Sequence, residues 1–187
     1  MKIIIHITLM IVIVLSLTTY KINAISISSR DDNSVSNVSN ESLLNTVSLL
    51  CLVNRERANA RVRPLVLDNR LIKAAQLHTD YMASTKNLTH DDISGSLGTR
   101  ISNQGFDWWM AGENIAYGFT EKEETEVMRA WMNSRGHRAN ILNRRFTHFG
   151  SGFKDNYWTQ NFAQSADEYP PNVPICPKNF MEITMQI

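Results

Sequence analysis

The sequence predicts an α+β domain in which helices stack on a small, mostly antiparallel sheet. Three observations predict it. Two segments in the first half of the chain carry apolar residues at helical spacing, and a third such segment lies further on. Two neighbouring segments near the end then alternate apolar and polar residues around a short turn. No internal repeat is present, and 187 residues suit one domain of ordinary size with extra sequence at both ends.

The chain opens on "MKIIIHITLMIVIVLSLTTYKINA", a lysine followed by an apolar run that finishes at the small residue Ala24. The run is short for a membrane span and has the layout of a cleaved secretory signal over 1–24; a retained signal anchor is the alternative. With that segment removed, nothing left is long and apolar enough to cross a bilayer. The expected location is therefore extracellular. Residues 25–42 are rich in Ser, Asn and Asp and read as a flexible leader. The folded domain is expected over 43–166, and a proline-rich tail over 167–187.

Leu44, Val47, Leu50, Cys51 and Asn54 share one face, so "SLLNTVSLLCLVNRERANA" reads as the first helix. "VRPLVLD" follows as a short extended piece. In "NRLIKAAQLHTDYMAS", Leu71, Ala74, Ala75, His78, Tyr81 and Met82 form a stripe, with Asp68 or Asn69 able to cap its start. His78 falls on the inward face, where a hydrogen-bonded core histidine is the expected role. Thr120 with Glu123 three residues later predicts a capping box for the third helix, which carries Val127, Met128, Ala130 and Trp131 and is expected to stop at Gly136. "HFGSGFKDN" and "YWTQNFAQS" read as a hairpin anchored by Phe149, Phe153, Trp158 and Phe162.

Charge excludes one class of function. The net charge is +1, and the crowd Arg55, Arg57, Arg61 and Arg63 is interrupted by Glu56 and followed by Asp68. It reads as a solvated helix face rather than a nucleic-acid footprint. Export is supported by three acceptor triplets for N-glycosylation, at Asn37, Asn40 and Asn87. The two cysteines, Cys51 and Cys176, are an even count in an oxidising compartment. A bridge would close a loop worth roughly 4.7 kcal/mol in the chain-entropy model; two unpaired buried thiols are the alternative.

Three polar residues remain once the core is assigned: His90 in "NLTHDD", Glu113 in "AGENIAYG" ahead of a strand-like run, and His137 in "SRGHRANIL". Their separation gives no local metal signature, and no nucleophile elbow or glycine-rich phosphate loop is present. Glu113 reads as a buried carboxylate in need of partners.

"AGENIAYG" and "AWMNSRGHRANILNRRFTHFGSGF", preceded by "LVNRERANARVRPLVLD" and followed by "YWTQNFA", resemble the CAP superfamily of cysteine-rich secretory proteins, venom antigens and pathogenesis-related proteins. The match runs from Leu44 to Ala163 and looks most like the short branch of bacteria and some fungi. It implies a three-layer α-β-α sandwich with a cleft holding His90, Glu113 and His137. Two imidazoles and a carboxylate are suitable ligands for zinc or a similar divalent cation. Where the family commonly has a second glutamate, this chain has Ser134, a poor metal ligand. The aromatic loop of sterol-binding relatives is missing before Gly136, so a fatty acid is favoured over a sterol among lipid ligands.

The resemblance thus implies a secreted, non-enzymatic binding or effector protein for a metal, a lipid or an extracellular protein partner. The alternative is a hydrolase with a cleft histidine as general base.

Overall fold

The computed structural model describes residues 40–166 and Cys176, with side chains from Asn45 onward. The expected signal, residues 25–39 of the expected leader and the proline-rich tail apart from Cys176, together with Asn37 and the side chain of Asn40, lie outside the described residues; residues 40–42, expected in the leader, belong to α1. In chain order the elements are α1 (Asn40–Asn59), β1 (Val66–Leu67), α2 (Asn69–Thr85), α3 (Leu97–Ser102), β2 (Trp108–Tyr117), α4 (Glu124–Asn133), α5 (Arg135–Ile141), β3 (His148–Lys154) and β4 (Tyr157–Ser165).

The four strands lie in the order β1-β3-β4-β2. β3 and β4 form the expected hairpin, closed by Asp155 and Asn156, both with positive φ as a tight two-residue turn requires. β2 pairs antiparallel along β4 from Trp108↔Ser165 to Tyr117↔Tyr157, and β1 adds a short parallel edge against β3. Strand alternation splits the hairpin anchors from the residues beneath α2. Leu49, Leu50, Val53, Trp131, Phe149, Trp158 and Phe162 form the core between the sheet and the α1/α4 layer. On the other face, Leu71, Ala74, Ile101, Phe106 and Ala163 join α2 and α3 to the sheet. The result is the three-layer α-β-α sandwich.

α2 sits unusually close to β3 because Gly150 and Gly152 face it. A Cβ on Gly150 would fall 2.2 Å from the Leu71 carbonyl carbon, and one on Gly152 2.6 Å from the Gln76 Cα. The strand pattern "HFGSGF" therefore carries apolar anchors on one face and bare backbone on the other.

Several expectations are corrected. α4 starts at Glu124: Glu123 Oε2 accepts from the Thr120 N–H at 2.7 Å, which is half of a capping box, but a turn at Glu121 and Lys122 intervenes. Gly136 does not stop the third helix. Ser134 breaks it with an extended backbone (φ −88°, ψ 124°), and the chain re-enters a helix at Arg135, with Gly136 inside α5. Arg138 reaches back to donate to the Met132 carbonyl at 3.2 Å, serving an end that needs no left-handed glycine. Arg57 is no solvated residue: it is fully buried and donates to the carbonyls of Arg63, Ile141, Asn143 and Phe146. Its five-donor fork suits a cluster of loop carbonyls, which spacing along α1 could not reveal. α3, only six residues long, escaped the pattern reading altogether.

Cys51 and Cys176 form the disulfide, tying residue 176 to α1 across a separation of 125 residues. No helix among the described residues is long and apolar enough to cross a membrane.

Candidate functional site

β2 is the long edge strand of the sheet, opposite β1, and the site is built across its middle. An edge strand presents unpaired backbone groups on its open side. Here the "WMNSRGHRAN" segment covers them: Asn140 Nδ2 donates to the Glu113 carbonyl and Trp131 Nε1 to the Ile115 carbonyl, each at 3.1 Å. Asn114 in turn donates to the His137 carbonyl at 3.2 Å and to Gln160 Oε1 at 3.0 Å, and accepts from Asn140 at 2.9 Å. These amides fix α5, and with it His137, against the strand. Asn140 thus ties α5 to the sheet, and Arg138 serves the Met132 carbonyl.

On the α2/α3 side, Glu113 points under the layer of helices, with 3% of its side chain exposed. Arg100, equally buried, grips it through both fork nitrogens: Nη1 to Oε2 at 2.9 Å and Nη2 to Oε1 at 3.1 Å. His90 Nδ1 lies 2.9 Å from Oε1. Asn161, with its amide nitrogen turned to the carboxylate, donates to Oε2 at 3.1 Å while its oxygen accepts from the Ala75 N–H. The expected buried carboxylate therefore has a full set of partners. Burial pushes its pKa up, but the hydrogen bonds from His90 and Arg100 and the Arg100 charge outweigh burial and hold it below the ordinary value.

Glu113 being ionised and acceptor-only, His90 meets it with Nδ1–H, which leaves Nε2 as the ring's other nitrogen. The His90 side chain is 59% exposed, and Nε2 has no partner among the described residues. The Glu113 hydrogen bond raises the His90 pKa against the opposing effect of burial. His137 is half-buried, and its ring has no hydrogen-bond partner among the described residues. Its pKa is lowered by burial and by the repulsion of His90, which places the two imidazoles within electrostatic reach of each other.

The structure thus bonds His90 to Glu113 and leaves His137 within electrostatic reach of His90. Ser134 lies at the α4/α5 break, where its hydroxyl makes no capping bond. No group of three His, Cys, Asp or Glu among the described residues stands close enough to hold a metal ion. Asn87 is exposed on the loop after α2, three residues before His90.

Sequence reasoning missed Arg100, Asp92, Asn114 and Asn161. Asp92 Oδ2 lies 2.8 Å from His78 Nδ1, and His78 Nε2 lies 2.9 Å from the Thr89 carbonyl. His78 is the hydrogen-bonded core histidine that its stripe predicted. For Arg100 a faint signal existed: Ser96 caps α3 through its hydroxyl to the Thr99 N–H, and Ser before Leu-Gly-Thr-Arg is a helix-start pattern. A cavity between α1 and β3, lined by Asn45, Glu121, Ser151, Phe153 and Trp158, does not include any of these residues.

A family description, the cysteine-rich secretory protein family (CAP), matches residues 50–164. The chain is 40% identical over 114 residues to the uncharacterized protein YkwD of Bacillus subtilis, covering 59% of this chain and 44% of that one. It is 34% identical over 117 residues to the uncharacterized membrane protein YlbC of the same organism, covering 62% and 33%. The chain therefore spans less than half the length of the curated relatives it matches. Among solved structures, an extracellular protein containing an SCP domain from Bacillus anthracis aligns with TM-score 0.62 and 29% identity, over 70% of this chain and 45% of that one.

Proposed function

This chain belongs to the CAP (cysteine-rich secretory protein) family, and from that premise we propose that it is a binding protein of the extracellular type whose groove offers the imidazoles of His90 and His137 to a ligand. One observation supports this above the others. His90 is held by Nδ1 on a buried, ionised carboxylate while its other nitrogen, on a largely exposed ring, has no protein partner among the described residues.

Two neutral imidazoles with water suit zinc or a similar borderline divalent ion, whereas hard, oxygen-seeking ions such as calcium do not fit. Glu113 fits as support rather than as ligand, since Arg100 and His90 already occupy its oxygens. It has the role of the carboxylate behind a metal-binding histidine, fixing tautomer and orientation. A bound ion would supply Lewis acidity to an oxygen of the ligand. Ser134 adds no ligand of comparable strength.

Isothermal titration with zinc tests the reading: heat is expected for the wild type and its loss for His137→Ala. No heat from either ends the metal reading. Native mass spectrometry of the secreted protein, before and after a chelator, separates the ligands, because a retained fatty acid in place of zinc moves the groove to lipid binding. Export through 1–24 and a glycan on Asn87 belong to the same reading, and a glycopeptide map that finds Asn87 unmodified removes the glycan.

The Glu113–His90 pair also favours a second reading, in which His90 acts as general base toward water or a substrate hydroxyl in a hydrolase. Turnover of a casein or lipid-ester panel that vanishes in Glu113→Gln and His137→Ala would support it. Turnover that persists in both variants would point to a contaminating enzyme.

A further inference from the structure

We propose that His78 is the positioning residue of the groove: a two-point clamp that holds the loop from Thr89 to Asp92 and so sets His90 against Glu113. His90 sits on a loop and is largely exposed, so little apolar packing holds it in place. What holds the loop comes from beneath. His78 is completely buried on α2, and its two ring nitrogens reach the same loop on either side of His90, to the Thr89 carbonyl at 2.9 Å and the Asp92 carboxylate at 2.8 Å. Both partners are hydrogen-bond acceptors on the one loop that carries His90. Glu113 Oε1, 3.7 Å from Nε2, places a second carboxylate beside that ring.

A histidine that merely filled the core would need its polar atoms satisfied by any neighbour. Here both bonds go to residues that bracket His90. Other contacts complete the hold: Arg100 Nη2 donates to the His90 carbonyl at 3.3 Å, and Asp92 Oδ1 accepts from the Ser94 N–H at 2.8 Å. With the positions before and after it fixed, His90 keeps Nδ1 on Glu113.

The consequence for ligand binding rests on the function proposed above, whereas the clamp itself does not, and two readouts on the full chain keep them apart. Ring-nitrogen NMR reports the His90 Nδ1–H without any ligand, and zinc titration reports the groove. His78→Phe is expected to lose the distinct Nδ1–H signal of His90 and to weaken zinc binding about tenfold or more. His78→Gln, which keeps two N–H donors, is expected to recover part of the signal. If His78→Phe does not fold, Asp92→Ala carries the test, with Ser94→Ala as the control that removes only the neighbouring hydroxyl bond and leaves the His90 signal in place. An unchanged His90 signal in folded His78→Phe or Asp92→Ala overturns the clamp. A signal lost in those variants, with zinc silent even in the wild type, upholds the clamp and removes the metal reading alone.

Discussion

Glu113 gathers four side chains around one buried carboxylate, and its substitution tests how much of the site depends on charge. Glu113→Gln leaves the Arg100 guanidinium buried without its anion. Breaking a buried pair by removing one partner costs about 3–5 kcal/mol. Chemical denaturation should show a loss of that size, and a loss under 1 kcal/mol would mean that the guanidinium finds other acceptors. The two groove histidines should titrate on opposite sides of the ordinary imidazole value of 6.5, His90 above it and His137 below it. The signs differ for stability as well. The raised His90 value adds stability that is complete below pH 6.5 and fades as pH rises through its own higher value. The lowered His137 value does the reverse, costing stability as pH falls below 6.5. Histidine proton NMR against pH checks both, and a shared midpoint would contradict the Glu113 hydrogen bond to His90 and the burial of His137. At this scale the sequence named His90, Glu113 and His137. It could not name Arg100 or Asp92, because an arginine on a six-residue helix and an aspartate on a loop look solvated until the fold buries them.

Among the elements, α5 and β3 are where glycine positions decide structure. Gly136 lies inside α5 with no heavy atom within 4 Å of an added Cβ and no positive φ. Gly136→Ala should therefore stabilise the fold by about 0.4–1 kcal/mol. A helix stop with a left-handed glycine would instead lose stability, so the sign of the change separates the expected from the observed element. Gly150→Ala goes the other way. Its methyl would meet the backbone of Leu71 and Ile72 rather than a yielding side chain, and overpacking of that kind costs about 1–3 kcal/mol. Thermal unfolding of both variants checks the pair. The helices α1 and α2 and the β3–β4 hairpin were legible because each holds its apolar period over several turns or strand residues. α3 and α5 were not, because six and seven residues give too few repeats of a 3.6-residue period to stand out. Their places are set by partners far along the chain, such as Glu113 for Arg100 and Asn114 for Asn140.

For the whole molecule, the Cys51–Cys176 bridge closes the longest loop in the chain's described residues, with a separation of 125. Cys176→Ser, chosen because Cys51 is packed in the core, should lower stability by up to about 4.7 kcal/mol in the chain-entropy model. Unfolding with and without reductant checks it, and equal midpoints would mean that the bridge contributes nothing to stability. The amino-acid sequence by itself determined the α+β class, the family and the hairpin, because each rests on a local period or a contiguous motif. Only the tertiary structure decided what individual residues do to one another. It put Glu113 in the grip of Arg100 and His90, set Arg57 against loop carbonyls instead of solvent, and joined His78 to Thr89 and Asp92 on the His90 loop. Spacing along a chain reports which face a residue occupies; it does not report the donors and acceptors that distant segments bring to that face.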